Sequence, residues 1–208
     1  MDKNSPTKQN LSADWDWSAY FDHIHDPDMR VTLKTALDYF STGENKQAID
    51  LGCGHGNDTV HILKAGFQTL AIDQSQEGLD RLVARDTCAD HPNLTVLKST
   101  FQDMHLPKSD FVNASFAVPF CPQEQFQALW NRIIDALNPG GVFAGHLFGI
   151  RDSWQEKVAD MNFHTAQDVQ ALIQPYTVLH FNEIEKDGAD AVGRPKHWHI
   201  FEIVLVKE

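Results

Sequence analysis

A glycine-rich turn headed by an acidic residue is the segment of this sequence with the clearest chemical meaning. Asp50-Leu-Gly52-Cys-Gly54-His-Gly56 places glycines at alternate positions, directly after an apolar segment at 47–51. Glycines in this arrangement allow a tight turn and let a ligand lie against the main chain. Because a helix is predicted to follow, the turn should present that ligand at the carboxyl edge of a parallel sheet.

The glycine spacing differs from that of a dinucleotide-binding turn. A dinucleotide fingerprint would place its third glycine one residue later, at the position of Asn57, to serve a pyrophosphate at a helix N-terminus. In this chain the third glycine is Gly56, and Asp50 stands at the head of the motif. The pattern therefore differs from that of a dinucleotide site.

The turn resembles the E/D-x-G-x-G-x-G signature of class I S-adenosylmethionine (SAM) dependent methyltransferases. The resemblance implies that the turn holds the methionine portion of SAM, through Asp50, Gly52, Cys53, Gly54 and Gly56. It also implies an acidic residue at the end of the second strand, and Asp73, followed by Gln74, lies there. A carboxylate can accept hydrogen bonds from both hydroxyls of a ribose diol.

Two later features extend the resemblance. In the family a polar residue after the third strand meets the adenine amino group, which points to Asp103, with Gln102 or Phe101 beside the ring. The turn 138–141 (Asn-Pro-Gly-Gly) matches the one that precedes the fifth strand in the family. These features occur in order over about 47–148 and predict a SAM-dependent methyltransferase. The alternatives are a nucleotide-binding or inactive Rossmann-like domain, or a SAM-binding regulatory protein without transfer activity.

The methyl acceptor is expected over the end of the fourth strand, where Asn113 and Phe116 would border the transferring group. Nucleic-acid amino-methyltransferases carry N/D/S-P-P-Y/F here, but Ala114 and Ser115 replace both prolines. The formal net charge of −12, from 29 acidic and 17 basic side chains, also disfavours a phosphate backbone as partner. We therefore expect a small-molecule acceptor and no nucleic acid.

Aromatic residues near the N-terminus are further candidates for the methyl-transfer site. The group comprises Trp15, Trp17, Tyr20 and Phe21. Aromatic faces attract a sulfonium cation, and the hydroxyl of Tyr20 could orient the acceptor. The alternative is that these rings anchor the first helix to the core.

Near the C-terminus, His197 and Trp198 are predicted to line the substrate pocket, or else to be polar residues at the start of a strand. His197 and His199 share a sheet face, but no partner ligand can be assigned from sequence, and no metal is predicted. Cys121 suggests a thiol nucleophile or a metalloid ligand, as in tellurite-resistance-type methyltransferases. A buried, inert cysteine is the alternative.

Alternating strand and helix patterns predict a doubly wound α/β fold, Rossmann-like, with helices on both faces of a mostly parallel sheet. The predicted strands are 47–51, 69–72, 94–97, 110–116, 142–148, 177–185 and 197–207. The predicted helices are 27–40, 57–65, 76–88, 122–137 and 166–174. The last two strands should pair antiparallel. The family resemblance implies seven strands in the order 3-2-1-4-5-7-6, with strand 7 antiparallel.

Length and composition limit the organisation of the chain. With 208 residues, we expect one compact domain, with an N-terminal tail and helical cap at 1–45 and the methyltransferase domain at 46–208. No apolar run approaches the about 20 residues of a membrane helix, and residues 1–10 lack the centre of a secretory signal. The three cysteines do not indicate a disulfide framework. A cytoplasmic protein without a membrane partner is expected, and its oligomeric state stays open.

Overall fold

The computed structural model describes residues 17–24 and 28–208. The predictions for Trp15, Pro27 and the N-terminal tail fall wholly or partly outside the described residues. The strands are β1 Gln47–Leu51, β2 Gln68–Asp73, β3 Leu94–Lys98, β4 Ser109–Ala114, β5 Leu137–Phe148, β6 Thr177–Ala189 and β7 Pro195–Val206. The α-helices of the described part are α1 Trp17–His23, α2 Val31–Phe40, α3 Asn57–Lys64, α4 Gln76–Val83, α5 Gln123–Ala136 and α6 Ala166–Ile173.

The seven strands form one sheet in the order β3-β2-β1-β4-β5-β7-β6. Strands β1 to β5 run parallel, and β7 is antiparallel to both of its neighbours, β5 and β6. The predicted order and the antiparallel last strand are therefore confirmed. Of the helices that the structure describes, none is long and apolar enough to cross a membrane.

The apolar character of the central strands follows from burial on both faces of the sheet. In β1, Ile49 packs in a cluster with the α5 residues Leu129 and Ile133. The preceding residue, Ala48, packs in a separate cluster with Leu33 of α2. Because successive residues of a strand point to opposite faces, helices on both sides bury the four residues of β1 that follow the exposed Gln47. This packing produces the doubly wound architecture.

Two predicted helix starts are confirmed by their caps. The hydroxyl of Ser75 accepts a hydrogen bond from the Gly78 amide at 3.1 Å at the start of α4. Thr165 and Asp168 form a reciprocal capping box at the start of α6. Both caps satisfy amide groups that the first helical turn leaves without a partner.

Some element bounds differ from the sequence prediction. Strand β5 begins at Leu137, which pairs with Ser109, and the ladder becomes irregular before Val142 pairs with Phe111. The predicted Asn-Pro-Gly-Gly turn therefore lies within the strand, with Gly140 at φ +77°. Strand β4 ends at Ala114, since Phe116 adopts a left-handed backbone at φ +53°.

Candidate functional site

A cavity of about 450 Å³ opens at the carboxyl edge of the sheet. The ends of β1 and β2, the segment after β4, the tip of the β6–β7 hairpin and helix α1 all contribute to its wall. The loops that follow parallel strands meet at this edge, so the sheet topology brings distant segments together. The cavity has a glycine-lined end and an aromatic end.

The glycine turn is built from left-handed residues. Gly52, Gly54 and Gly56 have φ values of +69°, +52° and +87°. A Cβ atom on Gly52 would lie 2.4 Å from the Cβ of Ala117, and one on Gly56 would lie 2.1 Å from Leu82 Cδ1. Backbone conformation and space therefore both require glycine, which leaves main chain exposed to a ligand.

Asp73 is joined directly to this turn. One oxygen of its carboxylate accepts from the Gly54 amide at 2.8 Å, and the other accepts from the Ser75 amide at 2.7 Å. Burial raises the pKa of Asp73, and the amide hydrogen bonds oppose that rise. Asp73 and the adjacent Gln74 both line the cavity. Turn and carboxylate therefore form one rigid unit facing the same space.

Asp50 lines the same end of the cavity but is almost fully buried. It accepts hydrogen bonds from Thr59 Oγ1 at 2.5 Å and from Asn113 Nδ2 at 2.8 Å. Burial, with repulsion from the Asp58 carboxylate, raises the pKa of Asp50 to about 7. The hydrogen bonds only partly offset this rise, since desolvation of the charge dominates.

The amide of Asn113 contacts carboxylates. Its Nδ2 donates to Asp58 Oδ2 at 3.1 Å as well as to Asp50. The side chain is fully buried and is not among the residues that line the cavity. This placement follows from the sheet register, in which Asp50 and Asn113 are direct partners on β1 and β4.

Phe116 and Arg30 lie where the two ends of the cavity meet. The Phe116 ring stacks on His146 with centroids 4.1 Å apart, and the Arg30 guanidinium carbon lies 4.8 Å from the Phe116 centroid. Arg30 Nε is 3.9 Å from Asp58 Oδ1 and has no hydrogen-bond partner in the described part of the chain. No sequence motif marks Arg30, which precedes the first residue of α2.

Helix α1 brings Trp17, Tyr20 and Phe21 to the cavity. Phe21 is buried, and its ring centroid is 5.2 Å from that of His55 in the glycine turn. Burial raises the pKa of Tyr20, and the nearby Arg30 charge acts in the opposite direction. Tyr20 therefore keeps its phenolic proton at neutral pH beside the junction of the two ends.

The segment after β3 contributes Ser99, Thr100 and Phe101 to the lining of the cavity. Gln102 and Asp103 are not part of that lining. The Gln102 amide donates to Gln125 Oε1 at 2.7 Å, and Asp103 accepts from Thr100 Oγ1 at 2.8 Å.

On β7, Trp198 lines the cavity, and its indole N–H donates to the Ala189 carbonyl at 3.1 Å. His197 points to the opposite face and contacts the carboxylates of Asp187 and Glu185, which raise its pKa. His199 contacts Glu183 at 2.9 Å. Within residues 17–24 and 28–208, no group of three or more His, Cys, Asp or Glu has the arrangement of a metal site.

Of the cysteines singled out in the sequence, Cys53 lines the cavity and Cys121 does not. Cys121 is fully buried, and burial raises its pKa to about 11. A buried, protonated thiol is a poor nucleophile and a poor ligand for a soft metalloid.

Sequence reasoning missed most of the aromatic end. Phe120, Phe148 and Trp154 line it together with Lys186 and Asp190. These residues carry no motif, and their spacing along the chain shows no relation to one another. The only local signal was the density of aromatic residues in the segments that follow β4 and β5.

The chain matches known methyltransferase sequences over its central part. The family described as a methyltransferase domain matches residues 48–141. A carboxy-S-adenosyl-L-methionine synthase from Trichlorobacter lovleyi is 33% identical over 100 residues, which is 45% of this chain and 41% of that protein. The chain spans about half the length of the curated relatives it matches.

Solved structures share the fold over nearly the whole chain. TehB from Haemophilus influenzae superimposes with a TM-score of 0.73 at 13% identity, covering 92% of this chain and 67% of that one. The Burkholderia thailandensis 1,6-didemethyltoxoflavin-N1-methyltransferase, solved with 1,6-didemethyltoxoflavin and S-adenosylhomocysteine, gives a TM-score of 0.63 at 17% identity, covering 91% and 84%. At these identities the likeness concerns the fold.

Proposed function

We propose that this chain, which matches a methyltransferase-domain family over residues 48–141, transfers the methyl group of SAM to a small-molecule acceptor. The proposal rests on one observation. A turn of left-handed glycines and the carboxylate of Asp73 are hydrogen-bonded to each other and face one cavity, which continues into an aromatic compartment. Such a cavity can hold a polar adenosyl ligand and a second, less polar molecule side by side.

The residues at the glycine end fit SAM in shape and donor set. The turn from Asp50 to Gly56 offers uncovered main chain for the methionine portion, because a side chain at Gly52 would collide with Ala117. Asp73 presents a carboxylate to the ribose hydroxyls, with Gln74 beside it. SAM supplies a methyl group on a positively charged sulfur.

Around the adenine, we propose that Phe101 packs on the ring and that Gln102 and Asp103 provide the polar edge. Both side chains bond within the protein, Gln102 to Gln125 and Asp103 to Thr100. They would exchange these partners when the nucleoside is bound.

At the aromatic end, we propose that the lining side chains orient the acceptor relative to the methyl group. Phe116 and Tyr20 border the junction where the methyl group would pass, and Trp198 would contact the acceptor. In-line transfer needs the two reacting atoms at about 3–3.5 Å, and a general base only for a protonated, weak nucleophile. Asn113 would act through Asp50, which it holds by a hydrogen bond. His197 would support Trp198 from the opposite face of β7.

The surroundings of the cavity favour a small molecule over a macromolecule. Residues of helix α1 and of the β6–β7 hairpin both line the cavity, and the formal net charge is −12. The B. thailandensis neighbour, which shares the fold, was solved with a small heterocycle beside S-adenosylhomocysteine. These points support a small acceptor and disfavour nucleic acid.

A second candidate is a reaction on SAM itself. It is favoured by the 33% identity to a carboxy-S-adenosyl-L-methionine synthase over 100 residues. Mass spectrometry of the nucleoside product separates the two reactions. Methyl transfer yields S-adenosylhomocysteine, whereas the second reaction yields a SAM derivative that carries a carboxyl group taken from a second, carboxyl-donating substrate.

A matched pair of glycine variants tests the proposed binding mode. Gly52→Ala introduces a Cβ atom 2.4 Å from the Cβ of Ala117 at the cavity. Gly140→Ala is the control: its new Cβ atom would have no neighbour within 4 Å, and Gly140 also has a left-handed backbone, with φ of +77°. The control therefore measures only the cost of placing alanine in that conformation. Isothermal titration should show that Gly52→Ala weakens SAM binding at least about tenfold, and that Gly140→Ala leaves it within about twofold.

The proposed function fails if the parent chain binds NAD tightly and does not respond to SAM. If both glycine variants bind SAM as the parent does, the proposed binding mode at the glycine turn is wrong. Binding of SAM without any S-adenosylhomocysteine formed in the presence of cell extract would instead identify a SAM-binding protein without transfer.

A further inference from the structure

The acceptor end of the cavity is enclosed by a continuous set of rings, which we name the aromatic wall: Trp17, Phe120, Trp154, Trp198 and Phe116. Neighbouring ring centroids along this series are 5.3, 6.4, 5.8 and 6.3 Å apart. All five residues line the cavity. The neighbouring rings are tilted or edge-to-face, with interplanar angles of 50° to 68°. They enclose an apolar space in which an aromatic ring can find both face and edge contacts.

The wall is held in place from outside the cavity. Lys196 is buried, does not line the cavity, and has its ammonium 3.8 Å from the Trp154 centroid and 4.3 Å from the Trp198 centroid. Asp152, also buried, pairs with this ammonium. Because one fixed charge contacts both indoles, the two rings are positioned before any ligand enters.

The acidic side chains that line the cavity already have donors. Asp50 is bonded to Thr59 and Asn113, and Asp58 is bonded to Asn113. Asp73 accepts from two backbone amides. Asp190 accepts from the Arg194 side chain at 2.7 Å and from two further amides.

The positively charged side chains that line the cavity, Arg30 and Lys186, have fewer polar partners than these carboxylates. Within the described residues the Nε of Arg30 is buried and has no hydrogen-bond partner, and Asp58 Oδ1, with which it forms a long ion pair, is 3.9 Å away. Lys186 stands opposite Trp198 on β6 and has no ion pair within the described part of the chain. A buried guanidinium N–H without an acceptor is costly, so the site is built for a ligand that supplies one.

We propose that the acceptor is a planar aromatic acid. Its ring lies against the aromatic wall and its carboxylate is paired with the guanidinium of Arg30, which can bind both carboxylate oxygens at once. Lys186 adds a second positive charge at the rim. The assignment rests on the proposed function, because it places this acid beside SAM, and it names the class of molecule that the aromatic end accepts.

Calorimetry with three probes tests the assignment on the full chain saturated with S-adenosylhomocysteine. The probes are 2-naphthoate, 2-naphthamide (the same ring without charge) and cyclohexanecarboxylate (the charge without a flat ring). We expect 2-naphthoate to bind at least about tenfold more tightly than either of the others. Equal affinity of 2-naphthoate and 2-naphthamide would overturn the proposal.

Variants of Arg30 test whether this residue causes the preference for 2-naphthoate over 2-naphthamide. Arg30→Gln should reduce the ratio of naphthoate to naphthamide affinity to near one, and Arg30→Lys should keep part of it. Lys34→Gln removes the same charge from an exposed position on α2 and should leave the ratio unchanged. An unchanged ratio in a folded Arg30→Gln protein contradicts the assignment.

The experiment separates this inference from the proposed function. Failure of S-adenosylhomocysteine to bind to the parent chain refutes the proposed function, whatever the probes do. Normal S-adenosylhomocysteine binding without a preference for 2-naphthoate refutes the acceptor class alone.

Discussion

At the scale of single residues, burial shifts the pKa values of polar side chains in and behind the wall of the cavity. His146 is fully enclosed behind Phe116, and its Nδ1 has no hydrogen-bond partner in the described residues. Burial, followed by the charges of Arg30 and His180, lowers its pKa to about 3. The histidine is therefore neutral at physiological pH and serves as a stacking surface for Phe116.

Asp50 is the residue whose titration should affect stability most directly near neutral pH. Because its pKa in the folded chain is raised from 3.8 to about 7, the folded state binds a proton that the unfolded state has released. The stabilisation is thus complete below about pH 4 and is lost as the pH rises through about 7.

The prediction uses Asp50→Asn, which cannot ionise. Urea unfolding between pH 4 and 8 should show that the free energy of unfolding of the parent falls relative to that of Asp50→Asn as the pH rises. Charge removal at the exposed Asp38 by Asp38→Asn is the control and should give no such trend. A constant difference between the parent and Asp50→Asn at all pH values would contradict the assignment of a raised pKa.

At the scale of elements, one buried ion pair joins the segment after β5 to the β6–β7 hairpin. Asp152 contacts Lys196 and accepts hydrogen bonds from the amides of Trp154 at 3.0 Å and His199 at 3.2 Å. Burial lowers the pKa of Lys196 to about 8 although Asp152 acts in the opposite direction. The pair connects two elements that both contribute to the aromatic wall.

A double-mutant cycle tests this connection. Lys196→Met leaves the Asp152 carboxylate buried without its cation, and should cost about 3–5 kcal/mol of unfolding free energy. Asp152→Asn should also destabilise the chain, while the double variant should lose clearly less than the sum of the two single losses. Denaturant unfolding gives each value, and simple additivity would show that the two side chains do not act as a pair.

At the scale of the whole molecule, the charge of the chain should influence which ligands arrive quickly. The formal net charge is −12. SAM carries one net positive charge at neutral pH, whereas S-adenosylhomocysteine is neutral. An acidic protein therefore attracts the first ligand over distances at which the second feels little force.

Stopped-flow tryptophan fluorescence can measure this attraction, because Trp17, Trp154 and Trp198 line the cavity. Raising the salt concentration from about 0.02 to about 0.5 M should slow SAM association severalfold, since the Debye length shortens from about 20 Å to a few ångströms. S-adenosylhomocysteine serves as the control and should change less than about twofold. The same salt response for both ligands would exclude long-range attraction.

The sequence alone determined the order of helices and strands, the antiparallel last pair and the glycine turn. These features have local causes. A buried parallel strand needs mostly apolar residues, such as Ala48, Ile49 and Leu51 in β1, and a left-handed turn with a tight neighbour needs glycine, as at Gly52. The position of Asp73 was also predictable, since it terminates the strand next to the turn.

Only the tertiary structure decided which residues line the aromatic end of the cavity. Asn113 was expected at the methyl site, but the register of β1 against β4 directs its amide to Asp50. The aromatic wall and Arg30 come from segments far apart in the chain, brought together where the sheet edge meets α1 and the hairpin. Such contacts depend on the twist and order of the whole sheet, and no local pattern of residue types encodes them.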